Sequence, residues 1–479
     1  MKTFIRSFLV VVLAALAFAS CKNNENPILS SLPADTYLVV KLDVNKFVEA
    51  IDTDGKYVVK NQQLDFNTLK DVVDLSNVVV TADQDLKKYF LSVVVNDEGG
   101  FAKYVESQGF KPGTVEAGKA WSGDVNIVLK DKIARISECS LSEISVYIQN
   151  GEKAETHYAD NKGVVEVLNS DHMANFAVVM PMAKPDENKD GAVYTTGSID
   201  MKDKLTANFA SMYADGSPWE SNLTEAISTA ALQYVPNNAF AVVAFGLKGA
   251  NIDVDKIIEM AGKSVNAETV AMIVMASEYL KRIDGTVVVS AAMRPGKAID
   301  EAKANPLGSM DFLMMIHMTQ ENLNATLAEG MEIIRGMGMS CTEVSNGLYN
   351  MSMGEDNIYF GSIDGYLTVS NVKPNNNNGS AIAAKFEGKD CAIMFDLPEF
   401  NKTADGKAVG LNMLLTSGKS NGVFEMSFPG ATKPFFQVLE ELSNSFSTPQ
   451  INGIEEDQTE EVVEESLEDA LKEAGVEQL

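Results

Sequence analysis

The sequence predicts an α+β protein: two tandem copies of one domain, each an antiparallel sheet with helices packed on one face. Three observations lead there. Leu32-Pro33-Ala34-Asp35-Thr36-Tyr37-Leu38-Val39-Val40 is echoed by Val235-Pro236-Asn237-Asn238-Ala239-Phe240-Ala241-Val242-Val243, with the two prolines 236 − 33 = 203 residues apart. Short apolar runs broken by turn residues recur after each echo in the same order, as strands and hairpins do. Amphipathic helical stretches sit between them, a mixture that places helices against an antiparallel sheet.

Each echo reads as a proline, a polar pair and a β-type run, followed by a helix over Asn45–Ile51 or Asp253–Ala261 with Asn or Asp near its start. Val125–Leu129 and Lys132–Ile136 form a hairpin around Lys130-Asp131, and Asn357–Phe360 with Tyr366–Val369 form its counterpart around Asp364-Gly365. Phe176–Met180 and Ala392–Phe395 read as buried strands, while Gly197–Met212 and Ser417–Phe428 alternate like antiparallel strands. Pro218-Trp219 and Pro434-Phe435 each open an apolar helix, proline being well tolerated in a first turn, and Trp219 is expected to pack that helix. The second copy carries two further helices. Glu268–Lys281 has Val270, Ile273, Val274 and Leu280 on one face, and Glu321–Met337 has a stripe of Leu323, Leu327, Met331 and Ile334. Lys373-Pro374 and Asn375–Gly379 form a polar loop.

Ahead of this body stands Phe8 to Cys21, FLVVVLAALAFASC, preceded by Lys2 and Arg6. The apolar run is too short to span a bilayer and ends in Ala19 and Ser20 before the cysteine, the layout of a secretory signal cut in front of Cys21. A cysteine at the cut carries lipid, so lipidation is assigned to Cys21. A plain secretory signal would leave that thiol unmodified. Lys22-Asn23-Asn24-Glu25-Asn26 has the polar composition of a tether. The expected divisions are a signal over 1–20, a tether over 21–30, units over 31–232 and 233–450, and an acidic tail over 451–479.

The net charge is −28, near −30 once Lys2 and Arg6 leave with the signal. So acidic a body repels phosphate backbones, which excludes nucleic acid as a partner. The acid is uneven: Glu455–Leu479 holds eleven acidic residues and one base, Lys472. Val463, Leu467, Leu471 and Ala474 recur there at helical spacing, against the simpler reading of a solvated tail. With 45% hydrophobic residues and a mean hydropathy of −0.05, the rest has the composition of globular domains.

Cys21, the Leu-Pro-Ala-Asp opening before an apolar strand and the two-copy layout resemble an uncharacterised family of Bacteroidetes lipoproteins carrying a domain of unknown function. The tether resembles the Lys-plus-acid segment that sends such lipoproteins to the outer face of the outer membrane. The resemblance implies compartment and architecture, with the periplasmic or surface side open, and no catalytic residue.

The chemistry-bearing motifs each meet a structural alternative. Asp186-Glu187-Asn188-Lys189-Asp190-Gly191 matches half of a calcium loop, so Asp186, Asn188 and Asp190 are candidate ligands. Gly197 stands where such a loop needs a bidentate Glu, and the Asp-Gly shared with Asn401–Gly406 reads as a hairpin turn. Gly418-Lys419-Ser420-Asn421-Gly422 fits a nucleophile elbow, but the strand-like run after it makes it a hairpin loop. Met310, Met314 and Met318, four apart on an expected helix face with His317 and Cys341 nearby, could suit Cu(I) but read as core packing. His157, His172 and His317 lack metal-ligand spacing, although Asp160 and Asp171 lie beside two of them. Cys139, Cys341 and Cys391 form no CxxC and are expected as buried free thiols.

The functional expectation is a lipid-anchored envelope protein acting as a non-enzymatic binding or assembly module. It needs no cofactor, and its partners are the membrane, through Cys21, and an envelope protein or glycan. An envelope hydrolase acting on polymers is the alternative, and a calcium- or copper-handling lipoprotein the third.

Overall fold

The computed structural model describes residues 26–50, 56–59, 62–65, 69–180, 192–255, 258, 267–297, 306–353, 356–376, 379–402 and 406–446. Cys21, the signal, the candidate calcium loop with Asp186, Asn188 and Asp190, and the acidic tail lie outside these residues. The fold is mixed and mostly antiparallel, as expected of the α+β class.

The first half carries β1 (Leu38–Leu42), a separate hairpin of β2 (Lys56–Val59) and β3 (Gln62–Asp65), β4 (Val78–Ala82) and β5 (Tyr89–Val94). It continues with β6 (Lys111–Val115), β7 (Gly118–Ser122), β8 (Asn126–Lys130), β9 (Ile133–Ser137), β10 (Ala174–Val179), β11 (Val193–Met201) and β12 (Leu205–Tyr213). The second half holds β13 (Thr224–Glu225), β14 (Ala239–Lys248), β15 (Ile283–Met293), β16 (Met310–Met318), β17 (Cys341–Ser345) and β18 (Leu348–Met353). Its last strands are β19 (Asp356–Ile363), β20 (Tyr366–Ser370), β21 (Cys391–Lys402), β22 (Ala408–Ser417) and β23 (Asn421–Ser427). The helices are α1 (Val44–Ala50), α2 (Glu98–Ser107), α3 (Leu141–Lys153), α4 (Lys162–Leu168) and α5 (Thr229–Leu232). After them come α6 (Ala267–Leu280), α7 (Pro306–Ser309), α8 (Gln320–Gly336), α9 (Ser380–Phe386) and α10 (Phe435–Phe446).

All of these strands except β2 and β3 form one 21-stranded sheet, where two separate sheets were expected. From one edge the order runs β6-β7-β8-β9-β5-β4-β1-β10-β11-β12 and crosses to β23-β22-β21-β14-β15-β16-β20-β19-β18-β17. β13 adds to one end of β14. The physical reason for continuity is that β12 and β23 are both edge strands of their halves, and pairing Leu205–Ala210 with Met426–Asn421 satisfies backbone groups that would otherwise face solvent.

The helices cover both faces of the sheet, a second departure. Neighbouring residues on a strand point to opposite sides. On β4, Val78 and Val80 pack under α1 and α2 with Val44, Phe101, Val105 and Trp121. Val79 points the other way, among Leu29, Leu32, Tyr158 and Val164. Both sides of the central strands are therefore apolar, and no alternation marks them as half-exposed.

Local differences have local causes. Pro218-Trp219 starts no helix: Asp215 Oδ1 accepts from the Ser217 N–H (2.8 Å), Gly216 takes φ +87°, and Pro218 returns to bridge Met212. Trp219 accordingly packs no helix, and its N–H donates to the Ser211 carbonyl. Met310, Met314 and Met318 lie on strand β16 rather than a helix. Both predicted helices of the second half form, as α6 and α8, but Val274 and Leu280 of the first stripe remain 43% and 41% exposed. Ile227, Ala231 and Leu232, on the first-unit side of the expected boundary, pack in the core of the second half.

The predicted Pro434 helix forms as α10, and it sits across the junction. Phe435, Val438 and Leu442 join Met173 and Met201 of the first half and Val409, Leu411 and Phe428 of the second in one cluster. Phe436 meets Phe47 edge-on at 5.3 Å. The Phe435 N–H donates to the Lys202 carbonyl.

Candidate functional site

One concavity of the first half is built on α3. Ser140 caps this helix reciprocally with Glu143, whose carboxylate is held down to about 2 by Lys88 and then by Ser140. Ile144, Tyr147, Ile148 and Gly151 then fall on one face, at the spacing that turns them toward the sheet. Gly151 permits close approach: a Cβ there would lie 2.1 Å from the Ser31 carbonyl oxygen.

Tyr147 stacks on Phe90 of β5, centroids 3.9 Å apart and rings 11° from parallel. Its hydroxyl shares a 2.7 Å hydrogen bond with Thr81 of β4. Burial pushes the phenol up to about 12, so it is a neutral hydrogen-bonding group at physiological pH. Around it opens a cleft of about 440 Å³, walled by Pro33, Asp35, Thr36 and Tyr37 of the opening motif. The motif that marks the repeat in sequence thus forms one wall of a binding-sized cleft.

Behind this wall lies Arg135 of β9, only 3% exposed. Its Nη2 donates to Ser31 Oγ at 2.9 Å, and burial lowers its pKa. Its Nε, and the Oγ of Ser92 opposite it in the ladder, have no hydrogen-bond partner among the described residues. Nothing in Ile133-Ala134-Arg135-Ile136-Ser137 distinguishes this arginine from one on a solvated face. Only the second covered face reveals it.

The second half has a larger and more polar cleft, about 810 Å³, at the β17–β18 and β19–β20 turns. Tyr234, Asn346, Ser362, Asp364, Asn375 and Asn376 line it, so the predicted polar loop after Pro374 forms part of a wall. Tyr234 donates to Asp364 Oδ2 at 2.6 Å, and burial followed by that carboxylate pushes its phenol up to about 12. Asp364-Gly365 is the hairpin turn expected, with both residues at positive φ.

The histidines stand apart from one another. His157 borders the opening motif by a bridge to Pro33, and Asp160 accepts from its backbone N–H at 2.8 Å. His172 Nδ1 lies 2.6 Å from Asp200 Oδ2, a partner 28 residues away that the sequence did not single out, while Asp171 pairs with Lys46 instead. Ser170, the nearest hydroxyl in sequence, is turned to Val167 O and Asn175. His317 contacts the Asp284 carbonyl and packs edge-on against Tyr366. Gly418–Gly422 connects β22 to β23 as a hairpin, with the Gly418 N–H donating to the Asn421 carbonyl, so the elbow geometry does not form. Cys139, Cys341 and Cys391 are free thiols, half-buried rather than fully buried. Among the described residues no group of three or more His, Cys, Asp or Glu is placed to hold a metal ion, and no helix is long and apolar enough to cross a membrane. Comparison with protein-family models, with curated proteins and with solved structures finds no match to this chain.

Proposed function

We propose that the protein is a lipid-anchored, non-enzymatic binding or assembly module of the outer membrane, made of two copies of one α+β unit. The duplication draws its support from strand order. Outward from β12 the neighbours are β11, β10, β1, β4, β5, β9, β8, β7 and β6; outward from β23 they are β22, β21, β14, β15, β16, β20, β19, β18 and β17. Taken in chain order, the connections correspond strand for strand. Val39 on β1 and Val242 on β14 are 242 − 39 = 203 residues apart, the spacing of the prolines, and both are fully buried.

The observation that carries the binding role is that halves alike in strand order line their clefts differently. One cleft is built around the stacked pair Phe90 and Tyr147 with Asp35 and Asp83 in its lining, the other around amides and hydroxyls with Asp364 and Lys373. A duplicated frame with diverged recesses suits the presentation of surfaces to an envelope protein or glycan. Cys21 supplies the anchor, since stable attachment takes more than one acyl chain at about 0.8 kcal/mol per buried methylene. The test is capture of partners from solubilised envelope by the full chain, with Cys21→Ser as the unanchored control. Recovery of one envelope protein or glycan, lost on Tyr147→Ala or on Asn376→Ala, is expected. Recovery of none, or hydrolysis of an envelope polymer by the purified protein, contradicts this reading.

A further inference from the structure

Asn26, five positions after Cys21, already belongs to the packed body. Asn26 is 6% exposed, and Ile28, Leu29 and Leu32 are buried. Asn26 Oδ1 accepts from the Ile28 N–H at 3.0 Å. Five residue steps separate Cys21 from Asn26, and at about 3.6 Å per step their full reach is about 18 Å.

The turn that follows is fixed from several sides. Ser31 meets Arg135 and the tight approach at Gly151. The Tyr158 N–H donates to the Leu32 carbonyl at 2.9 Å, and the Ala34 N–H to the Thr156 carbonyl at 3.1 Å. A lipid on Cys21 would therefore pull on a rigid point of the body.

We infer that the bilayer surface lies against one end of the first half, formed by residues 26–32, the C-terminal end of α3 and the segment 154–157. This rests on the lipid-anchored reading and deepens it. Charge fits the placement. Lys130, Lys132 and Lys153 are matched at this end by Asp131, Glu152 and Glu155, with Lys130 and Glu152 paired directly. An end near neutrality in a chain of net charge −28 is repelled only weakly by anionic headgroups. The polar cleft at β17–β18 lies at the opposite edge of the sheet.

The experiment uses acylated full-length protein in vesicles of phosphatidylethanolamine and phosphatidylglycerol. A photo-crosslinking amino acid replaces Lys153, at the proposed membrane side, or Asn346, in the far cleft. Lipid adducts at position 153, at least fivefold above those at 346, are expected. Inserting twenty Gly/Ser residues between Glu25 and Asn26 adds a coil with a reach of about 25 Å, and adducts at 153 should then fall severalfold. Acylated protein without adducts at 153, or adducts unchanged by the spacer, overturns the placement while leaving the anchor intact. Protein whose mass shows no acyl group on Cys21 overturns the lipid-anchored reading, and the placement with it.

Discussion

Phe209 of β12 lies over Gly422 of β23, its partner in the ladder that joins the two halves. A Cβ on Gly422 would come within 2.3 Å of Phe209 Cζ. The same arrangement recurs two strand pairs away, where Phe176 covers Gly197. An aromatic ring over glycine fills the gap a missing side chain leaves in a sheet, and here it closes the junction. Gly422→Val should cost about 1–3 kcal/mol by overpacking. In a Phe209→Ala background the cost should shrink, and a double-mutant cycle measured by urea unfolding reads that coupling. Additive effects would show that the contact is not made.

Helix α10 links the halves by packing rather than by pairing. Phe435 is 2% exposed and stacks on Phe428 at 5.1 Å. Phe435→Ala should lower stability by about 3–5 kcal/mol. The distinctive signature is a single unfolding transition that separates into two, since removal of this seal leaves β12–β23 as the main contact between the halves.

Tyr147 and Tyr234 should account for part of the alkaline loss of stability, beside Tyr89, Tyr158 and Tyr194, whose phenols burial also raises. Burial raises the phenols of Tyr147 and Tyr234 from 10.0 to about 12. In the unfolded chain both lose protons near pH 10, while the folded protein keeps them. Their contribution is thus complete below pH 10 and is lost as the pH rises toward 12. Tyr147→Phe with Tyr234→Phe should flatten the decline of melting temperature between pH 10 and 12. An unchanged slope would contradict the burial assigned to Tyr147 and the bond to Asp364 assigned to Tyr234.

Arg135 invites a test of opposite sign. It is a buried guanidinium whose only direct partner among the described residues is a neutral hydroxyl. Replacing a poorly compensated buried charge by an apolar side chain of similar length is often neutral or stabilising. Arg135→Met should therefore hold the unfolding free energy within about 1 kcal/mol or raise it. Ser31→Ala, which strips the charge of that partner, should lower it by about 1–3 kcal/mol. A large loss from Arg135→Met would show that the guanidinium has a stabilising role beyond its bond to Ser31.

Much of the fold was legible where local chemistry decides it. The 203-residue echo, the Asp364-Gly365 turn, and the helices over 267–280 and 320–336 all follow from periodicity and turn residues. What stayed hidden depends on contacts between distant segments. β12 and β23 read as ordinary alternating strands, and nothing in either names the other as its neighbour. Val78, Val79 and Val80 show only an apolar run, which does not say that helices cover both sides. Met310–Met318 carries a four-residue recurrence that a strand satisfies as readily as a helix, because positions four apart share a face in both. The clefts were the least visible: Pro33–Tyr37 stood out as half of a sequence echo, but Thr81, Phe90 and Tyr147 meet it only through folding, as does Asp200 with His172.

The lipid proposed on Cys21 underlies both the address and the orientation argued above. The most direct measurement is the mass of the amino-terminal peptide from protein extracted from membranes of its own cells. A chain beginning at Cys21 and carrying acyl groups is the predicted result. An unmodified amino terminus, or a polypeptide that retains residues 1–20, would contradict it.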